Sequence, residues 1–121
     1  MVEPREVLKR IEAVLTELQQ TAWQQRAALV ALRIGVVEAV TAQQHYLLQQ
    51  LQQCHKELDS AMESIAVDCE LRQWWERLKL QAAEVRRLLQ LNRFLAQRAQ
   101  HHTAALLEIV LPEGHLYSQQ A

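Results

Sequence analysis

The chain has 121 residues, of which 50% are hydrophobic and 22% are charged, and its formal net charge is −1 at pH 7. This length permits one domain, and a near-neutral charge argues against nucleic-acid binding, which requires a basic face that releases counterions from phosphates. Because there are only two glycines and two prolines, abundant glutamine and no hairpin signal, the composition predicts an all-α protein.

The N-terminus and the cysteines indicate the compartment. The opening MVEPREVLKR is charged and lacks the apolar core of a secretory signal. No stretch reaches the roughly 18 consecutive apolar residues of a transmembrane helix, so no membrane insertion is expected. Without a signal, Cys54 and Cys69 are expected to be reduced thiols. We therefore predict a cytoplasmic protein.

The first predicted helix covers about residues 5–33. Pro4 suits its first turn, where a missing N–H costs nothing. Apolar residues then follow a three-four alternation, the a/d seam of a coiled coil, with Gln25 as its polar exception. Gly35, the only glycine before Gly114, would end this helix as a left-handed residue and return the chain antiparallel. The alternative is one helix through Gly35, since a single glycine costs only about 1 kcal/mol.

The second predicted helix covers about residues 36–58 and repeats the same alternation. Gln44 takes a core-type position in it, as Gln25 does in the first helix. A polar residue in such a seam fixes the register of the helices at some cost in stability. The following DSAMESIAVD, residues 59–68, has weaker periodicity and is predicted to form the second connection. Its candidates for an N-cap are Asp59, Ser64 and Asp68.

The third predicted helix covers residues 69–111 and is the longest, roughly 40 residues or about 60 Å. The two shorter helices can cover it only as far as Arg93 to Arg98. An apolar helix end without a partner in its own chain indicates an interaction surface. The alternatives are that this helix bends back or pairs in a homodimer. The apolar residues beyond the covered part are Leu106, Leu107, Ile109, Val110 and Leu111.

These patterns together predict an antiparallel three-helix bundle of coiled-coil type with a long, overhanging C-terminal helix. The bundle would occupy residues 1–112, ending where Pro112 and Gly114 stop the last helix. Residues 113–121 are expected to form a flexible, polar C-terminal tail.

Residues that carry chemistry in other proteins form no catalytic or metal-binding pattern here. Cys54 and His55 are adjacent, and ligands at adjacent helical positions point about 100° apart, as do those of His101 and His102. There is no phosphate-binding glycine loop, no Gly-x-Ser-x-Gly and no His-Glu-x-x-His. We expect no enzyme activity, no cofactor and no bound metal.

The stretch RRLLQLNRFLAQRAQHHTAALLEIVLPEGHLYSQQ resembles the C-terminal segment of the FlgN family of flagellar export chaperones. In that family a long last helix carries a spaced Leu–Asn–Leu core, then a Leu-rich end, a short break and a Leu-Tyr or Thr-Tyr pair. The first half is similar as well, in LTELQQTAWQQRAALVAL and HYLLQQLQQC. The matching C-terminal residues are Leu88, Asn92, Leu95, Gln97, Leu106, Leu107, Pro112, Leu116 and Tyr117.

The resemblance implies a cytosolic chaperone without enzymatic activity. Such proteins bind the C-terminal helices of the hook–filament junction proteins FlgK and FlgL, keep them unassembled and bring them to the flagellar type III export gate. Tyr117 matches the position of the family's gate-docking tyrosine. The free part of the third helix would receive an amphipathic client helix, with Asn92 hydrogen-bonding across the contact. The expected anchors are Leu88, Leu91, Leu95, Leu106 and Ile109.

A second hypothesis comes from a different class of protein. The same seam would serve a structural coiled-coil protein that homodimerises through its third helix. A chaperone is expected to be a monomer or a weak homodimer, whereas the structural protein is expected to be a stable homodimer at micromolar concentration.

Overall fold

The structure, a computed structural model, describes residues 3–110. All regular structure in this part of the chain is helical: α1 spans Pro4–Val30, α2 spans Ile34–Val67 and α3 spans Cys69–Val110. The all-α prediction is confirmed. None of these helices combines the length and the apolar character that crossing a membrane requires. The predicted tail, residues 113–121, lies outside the described residues.

α1 begins where the sequence predicts, with Pro4 at its start and Glu3 in an extended conformation before it. The predicted seam forms its buried face, because steps of three and four residues keep side chains on one side of a helix. The buried residues of α1 are Val7, Leu8, Ile11, Val14, Leu15, Leu18, Thr21, Ala22 and Ala28.

The turn between α1 and α2 lies before Gly35, so the prediction that Gly35 ends the first helix is wrong. Leu32 has a φ of 55° and takes the left-handed position instead. The N–H of Leu32 donates to the Leu29 carbonyl at 3.2 Å, and that of Arg33 donates to the Ala28 carbonyl at 2.8 Å. These two hydrogen bonds form a Schellman motif, which satisfies carbonyls at the end of α1.

The position of this turn follows from the pairing of α1 with α2. Gln25 Nε2 donates to Thr41 Oγ1 at 3.0 Å, and these two residues are equally far in sequence from Arg33. A reversal centred on Gly35 would move Thr41 out of register with Gln25. Gly35 lies in the first turn of α2, and no glycine among residues 3–110 has a positive φ.

The predicted second connection, residues 59–68, is helical for almost its whole length. α2 continues to Val67 instead of ending at Leu58. The reason is that the apolar steps continue across the acidic residues of this segment. Ala61 and Ile65 are 2% and 1% exposed, as deeply buried as the leucines before them.

The connection between α2 and α3 is a single residue, Asp68. Its Oδ1 accepts hydrogen bonds from the backbone N–H groups of Glu70 at 2.9 Å and Leu71 at 3.2 Å. Of the three candidates for an N-cap, Asp68 is thus the one that caps α3.

Buried apolar side chains form two groups along the bundle. The larger group lies towards the α2–α3 connection and draws on all three helices. Each fully buried Leu or Ile side chain stabilises such a group by about 1.5–3 kcal/mol. The larger group is Val7, Leu8, Ile11, Leu15, Cys54, Leu58, Ala61, Ile65, Leu71 and Leu78. The smaller group is Val14, Leu18, Leu47 and Val85.

Polar contacts give the order in which the helices meet. From the start of α1 to its end, its partners in α2 come in descending order and its partners in α3 in ascending order. The contacts with α2 are Arg10 with Glu57 and Gln25 with Thr41. The contacts with α3 are Arg5 with Glu70, Glu12 with Trp74, Thr16 with Gln81 and Ala22 with Asn92.

Candidate functional site

A layer of polar side chains crosses the bundle where α1, α2 and α3 meet. Gln25 Oε1 accepts a hydrogen bond from Gln44 Nε2 at 3.2 Å and another from Asn92 Nδ2 at 3.0 Å. Since each helix contributes one amide side chain, a shift of any helix along its axis would break the layer. The layer therefore fixes the register, as the seam positions of Gln25 and Gln44 predict.

Asn92 is held entirely within this layer. It is 1% exposed, and its Nδ2 also donates to the Ala22 carbonyl at 2.7 Å. Its Oδ1 accepts from Arg26 Nε at 3.2 Å. The sequence predicts that Asn92 bonds to a client, whereas these hydrogen bonds all go to α1. The missed signal is its spacing of seven residues from the buried Val85, which marks a core position.

The other expected anchors divide by exposure. Leu88 is 1% exposed and lies in the core, and Leu95 is half-buried. Leu91, Leu106 and Ile109 are 36%, 48% and 75% exposed. The structure therefore does not bring the six predicted residues into one free surface. Leu88 and Asn92 are buried in the bundle, and exposed Leu91 lies between them in sequence. The exposed Leu106 and Ile109 lie towards the C-terminal end of α3.

The seam of α3 continues out of the core. Exposure increases along positions seven residues apart. Val85 and Asn92 are 3% and 1% exposed, Ala99 is half-buried and Leu106 is exposed. Every residue from 100 to 109 is exposed. The coiled-coil seam of α3 thus continues beyond the part that packs within residues 3–110. We call residues 99–109 the α3 end.

A second exposed apolar cluster lies at and beside the α1–α2 turn. The sequence interpretation does not single out these residues. Four large side chains at and beside this turn are exposed, and together they form an apolar patch. They are Val30 at 77%, Leu32 at 70%, Ile34 at 71% and Val36 at 44%.

A groove of about 330 Å³ lies between α2 and α3. Leu15 and Leu18 of α1 are among its lining residues. α2 and α3 therefore both pack on α1 and leave the groove between them. The sequence gives no sign of this groove, because the spread of two helices depends on how each packs on the third. The α2–α3 groove is lined by Leu15, Leu18, Leu48, Leu51, Ala82, Val85, Arg86, Leu89, Gln90 and Arg93.

Arg26 joins the polar layer to the surface. Its guanidinium lies over the Trp23 ring, 4.6 Å from the centroid, a cation–π contact. Its buried Nη2 has no hydrogen-bond partner among the described residues. Trp23, 50% exposed, thus covers the edge of this layer.

Among the titratable groups of residues 3–110, Cys54 and Glu84 have shifted pKa values. Burial raises the pKa of the Cys54 thiol, which keeps it protonated and unreactive at neutral pH. A hydrogen bond from Arg87, with which Glu84 forms an ion pair, lowers the pKa of the Glu84 carboxyl. No group of three or more His, Cys, Asp or Glu in this part of the chain could hold a metal ion.

Comparison with protein families gives a match to the family described as FlgN protein, over residues 1–119. The matched range contains all three helices, the α3 end and Tyr117. No curated protein and no solved structure matches the chain.

Proposed function

Since the chain belongs to the FlgN protein family, whose members are flagellar export chaperones, we propose that it serves the hook–filament junction proteins FlgK and FlgL. It binds their C-terminal helical segments in the cytoplasm, prevents their premature assembly and delivers them to the export gate. The observation that carries this proposal is the apolar seam of α3, which leaves the core and lies exposed in the α3 end.

An antiparallel three-helix bundle with an overhanging third helix accounts for that exposure. The order of the polar contacts supports this arrangement, because partners descend along α2 and ascend along α3. Arg26 meets Asn92, so the last residue of α1, Val30, lies level with about residue 96. The rest of α3 would then extend roughly 20 Å past the α1–α2 turn.

The α3 end would receive an amphipathic client helix in the helix-in-groove mode. Leu106 and Ile109 are the outer anchors, and Leu91 and Leu95 extend the contact towards the bundle. Leu88 and Asn92 act indirectly, since they fix the base from which α3 projects. Covering the apolar stripe of the client removes the surface through which it would assemble. Each large side chain buried contributes about 1.5–3 kcal/mol before the cost of association.

Tyr117 is proposed to dock the loaded chaperone at the export gate, on the strength of its matching position in the family pattern. It lies outside the described residues. Replacing it by alanine should leave binding of the FlgK segment unchanged and abolish binding to the export gate. Loss of both activities in Tyr117→Ala would contradict this division of roles.

A structural homodimer is the second candidate function, because the seven-residue spacing of Val85, Asn92, Ala99 and Leu106 would also suit a coiled coil between two copies. Light scattering distinguishes the two. A stable dimer at micromolar concentration, with the α3 end protected from solvent, favours the structural role. A monomer or a weak dimer favours the chaperone.

The client-binding proposal is tested by calorimetric titration of the full chain with the C-terminal segment of FlgK. One saturable site with a negative heat-capacity change is expected, because an apolar stripe is buried. Removing residues 101–121 should abolish binding without unfolding the bundle. The matched control removes only residues 113–121 and should bind as the full chain does. Binding that survives the longer truncation would show that the site lies elsewhere.

A further inference from the structure

We infer that the client-binding surface has a second part, the α2–α3 groove, which takes an amphipathic helix whose apolar stripe is flanked by acidic residues. This inference rests on the proposed chaperone function and adds to it a surface and a ligand chemistry that neither the α3 end nor Tyr117 supplies. The helix would lie along α2 and α3 and close the three-helix bundle into four helices.

The floor and walls of the groove are apolar. Leu15 and Leu18 of α1 are 2% and 1% exposed and form its floor. Leu48 of α2 is 40% exposed on one wall, and the half-buried Leu89 of α3 lies on the other. A helix laid between them would bury these partly exposed leucines, which is the energetic basis of helix-in-groove binding.

The α3 edge of the groove is positively charged. Arg86 and Arg93 line that side, and Lys56 adds a positive charge on the adjoining surface of α2 beside Leu48. No Asp or Glu is among the residues that line either surface.

The two arginines at the groove have no polar partner within the described part of the bundle. Neither Arg86 nor Arg93 makes an ion pair or a side-chain hydrogen bond within residues 3–110. Arg5, Arg10 and Arg87 are paired with glutamates. Arg77, outside the groove, has no such partner within residues 3–110 either, so the apolar floor beside Arg86 and Arg93 is what distinguishes them. The groove therefore combines an apolar floor with cations that lack counter-charges, and charge complementarity favours an acidic partner.

The spacing of the arginines favours a helix as that partner. Arg86 and Arg93 are seven residues apart on α3, a rise of about 10 Å, so acids seven residues apart on an adjacent helix would meet both. A second copy of this chain does not supply this pattern through its α3 end, because residues 100–109 contain a single acid, Glu108, and two histidines. A client helix with repeated acids fits better.

Two synthetic helical peptides of about 20 residues test this chemistry directly. Both carry the same leucine stripe at three-four spacing, and one is flanked by glutamates where the other is flanked by lysines. The full chain is titrated with each peptide at low ionic strength, where screening is weak. We expect the glutamate peptide to bind about tenfold more tightly, and raised salt to reduce the difference.

Variants of the groove locate the effect. The double variant Arg86→Glu with Arg93→Glu should abolish or reverse the preference. The matched control, Arg72→Glu with Arg77→Glu, makes the same charge change on exposed positions of α3 outside the groove and should keep it. Leu48→Gln should weaken both peptides, because it removes an apolar wall without changing charge. Circular dichroism checks that each variant is folded.

Three outcomes would overturn the inference: equal affinity for the two peptides, no binding of the glutamate peptide, or a preference that survives the groove reversal. The FlgK segment, titrated into the same variants, separates this result from the proposed function. If it binds the groove variant as tightly as the unmodified chain, the groove is not a client site and the chaperone proposal stands. If the FlgK segment binds neither the unmodified chain nor the variants, while the glutamate peptide binds the groove, the FlgK proposal is wrong. The inference that the groove binds an acidic helix is then still supported.

Discussion

Replacing Asn92 by alanine tests the polar layer and separates a structural role from a direct role in client binding. The substitution removes three hydrogen bonds: to the Ala22 carbonyl at 2.7 Å, to Gln25 Oε1 at 3.0 Å and from Arg26 Nε at 3.2 Å. The two neutral bonds are worth about 1 kcal/mol each, and the bond from the charged group about 1.5–3 kcal/mol. Together these values amount to about 3.5–5 kcal/mol, and because Gln25 keeps its bond from Gln44 we expect a loss at the lower end, about 3.5 kcal/mol, in the free energy of unfolding.

For a chain of this size, about 3.5 kcal/mol corresponds to a fall of about 14 °C in the melting temperature. Circular dichroism melts and urea titrations measure both quantities. Leu91→Ala is the matched control on the same helix, because Leu91 is 36% exposed and should cost about 1 kcal/mol or less.

A double-mutant cycle with Gln25→Ala then shows whether the two amides act together, with a coupling of about 0.5–2 kcal/mol expected. An Asn92→Ala protein as stable as the unmodified chain would refute the layer. Asn92 would then be free to contact a client, as the sequence pattern suggested.

Three further experiments test the left-handed turn, the burial of Cys54 and the exposure of the α3 end. Leu32→Gly should raise the free energy of unfolding by about 0.5–1 kcal/mol in urea titrations, because it relieves the left-handed backbone strain of a leucine that is 70% exposed. Leu32→Ala should not raise it, and equal effects of the two substitutions would argue against the strain. A thiol reagent should modify exposed Cys69 rapidly and buried Cys54 only after urea unfolding, since Cys54 is 5% exposed; equal rates would contradict its burial. The double variant Leu106→Asp with Ile109→Asp should abolish binding of the FlgK segment and change the melting temperature by less than about 2 °C. A large loss of stability would mean that the α3 end packs within the chain.

The sequence predicts the helices well because their apolar periodicity is strong and local. It also identifies Gln25 and Gln44 as seam residues that set the register. For the third member of the layer, Asn92, the sequence predicts a place on the client surface instead, although its seven-residue spacing from Val85 marks a core position. Only the three-dimensional pairing shows that its amide faces Ala22 and Gln25.

The errors arise where tertiary contacts override local signals. Glycine is the preferred left-handed residue at a helix end, yet the register set by Gln25 and Thr41 places that position at Leu32. The acids of residues 59–68 suggest a loop, yet Ile65 continues the buried face of α2. The α2–α3 groove depends on how two helices spread on a third, which no single-sequence pattern encodes.

Amide hydrogen exchange along α3, with and without the FlgK segment, tests the central claim most directly. We predict that a saturating concentration of the FlgK segment slows amide exchange in residues 99–109. Exchange of the amides around the polar layer should change little, because these amides are already protected. Tight binding that leaves exchange in residues 99–109 unchanged would contradict the account, because the client would then occupy a different surface.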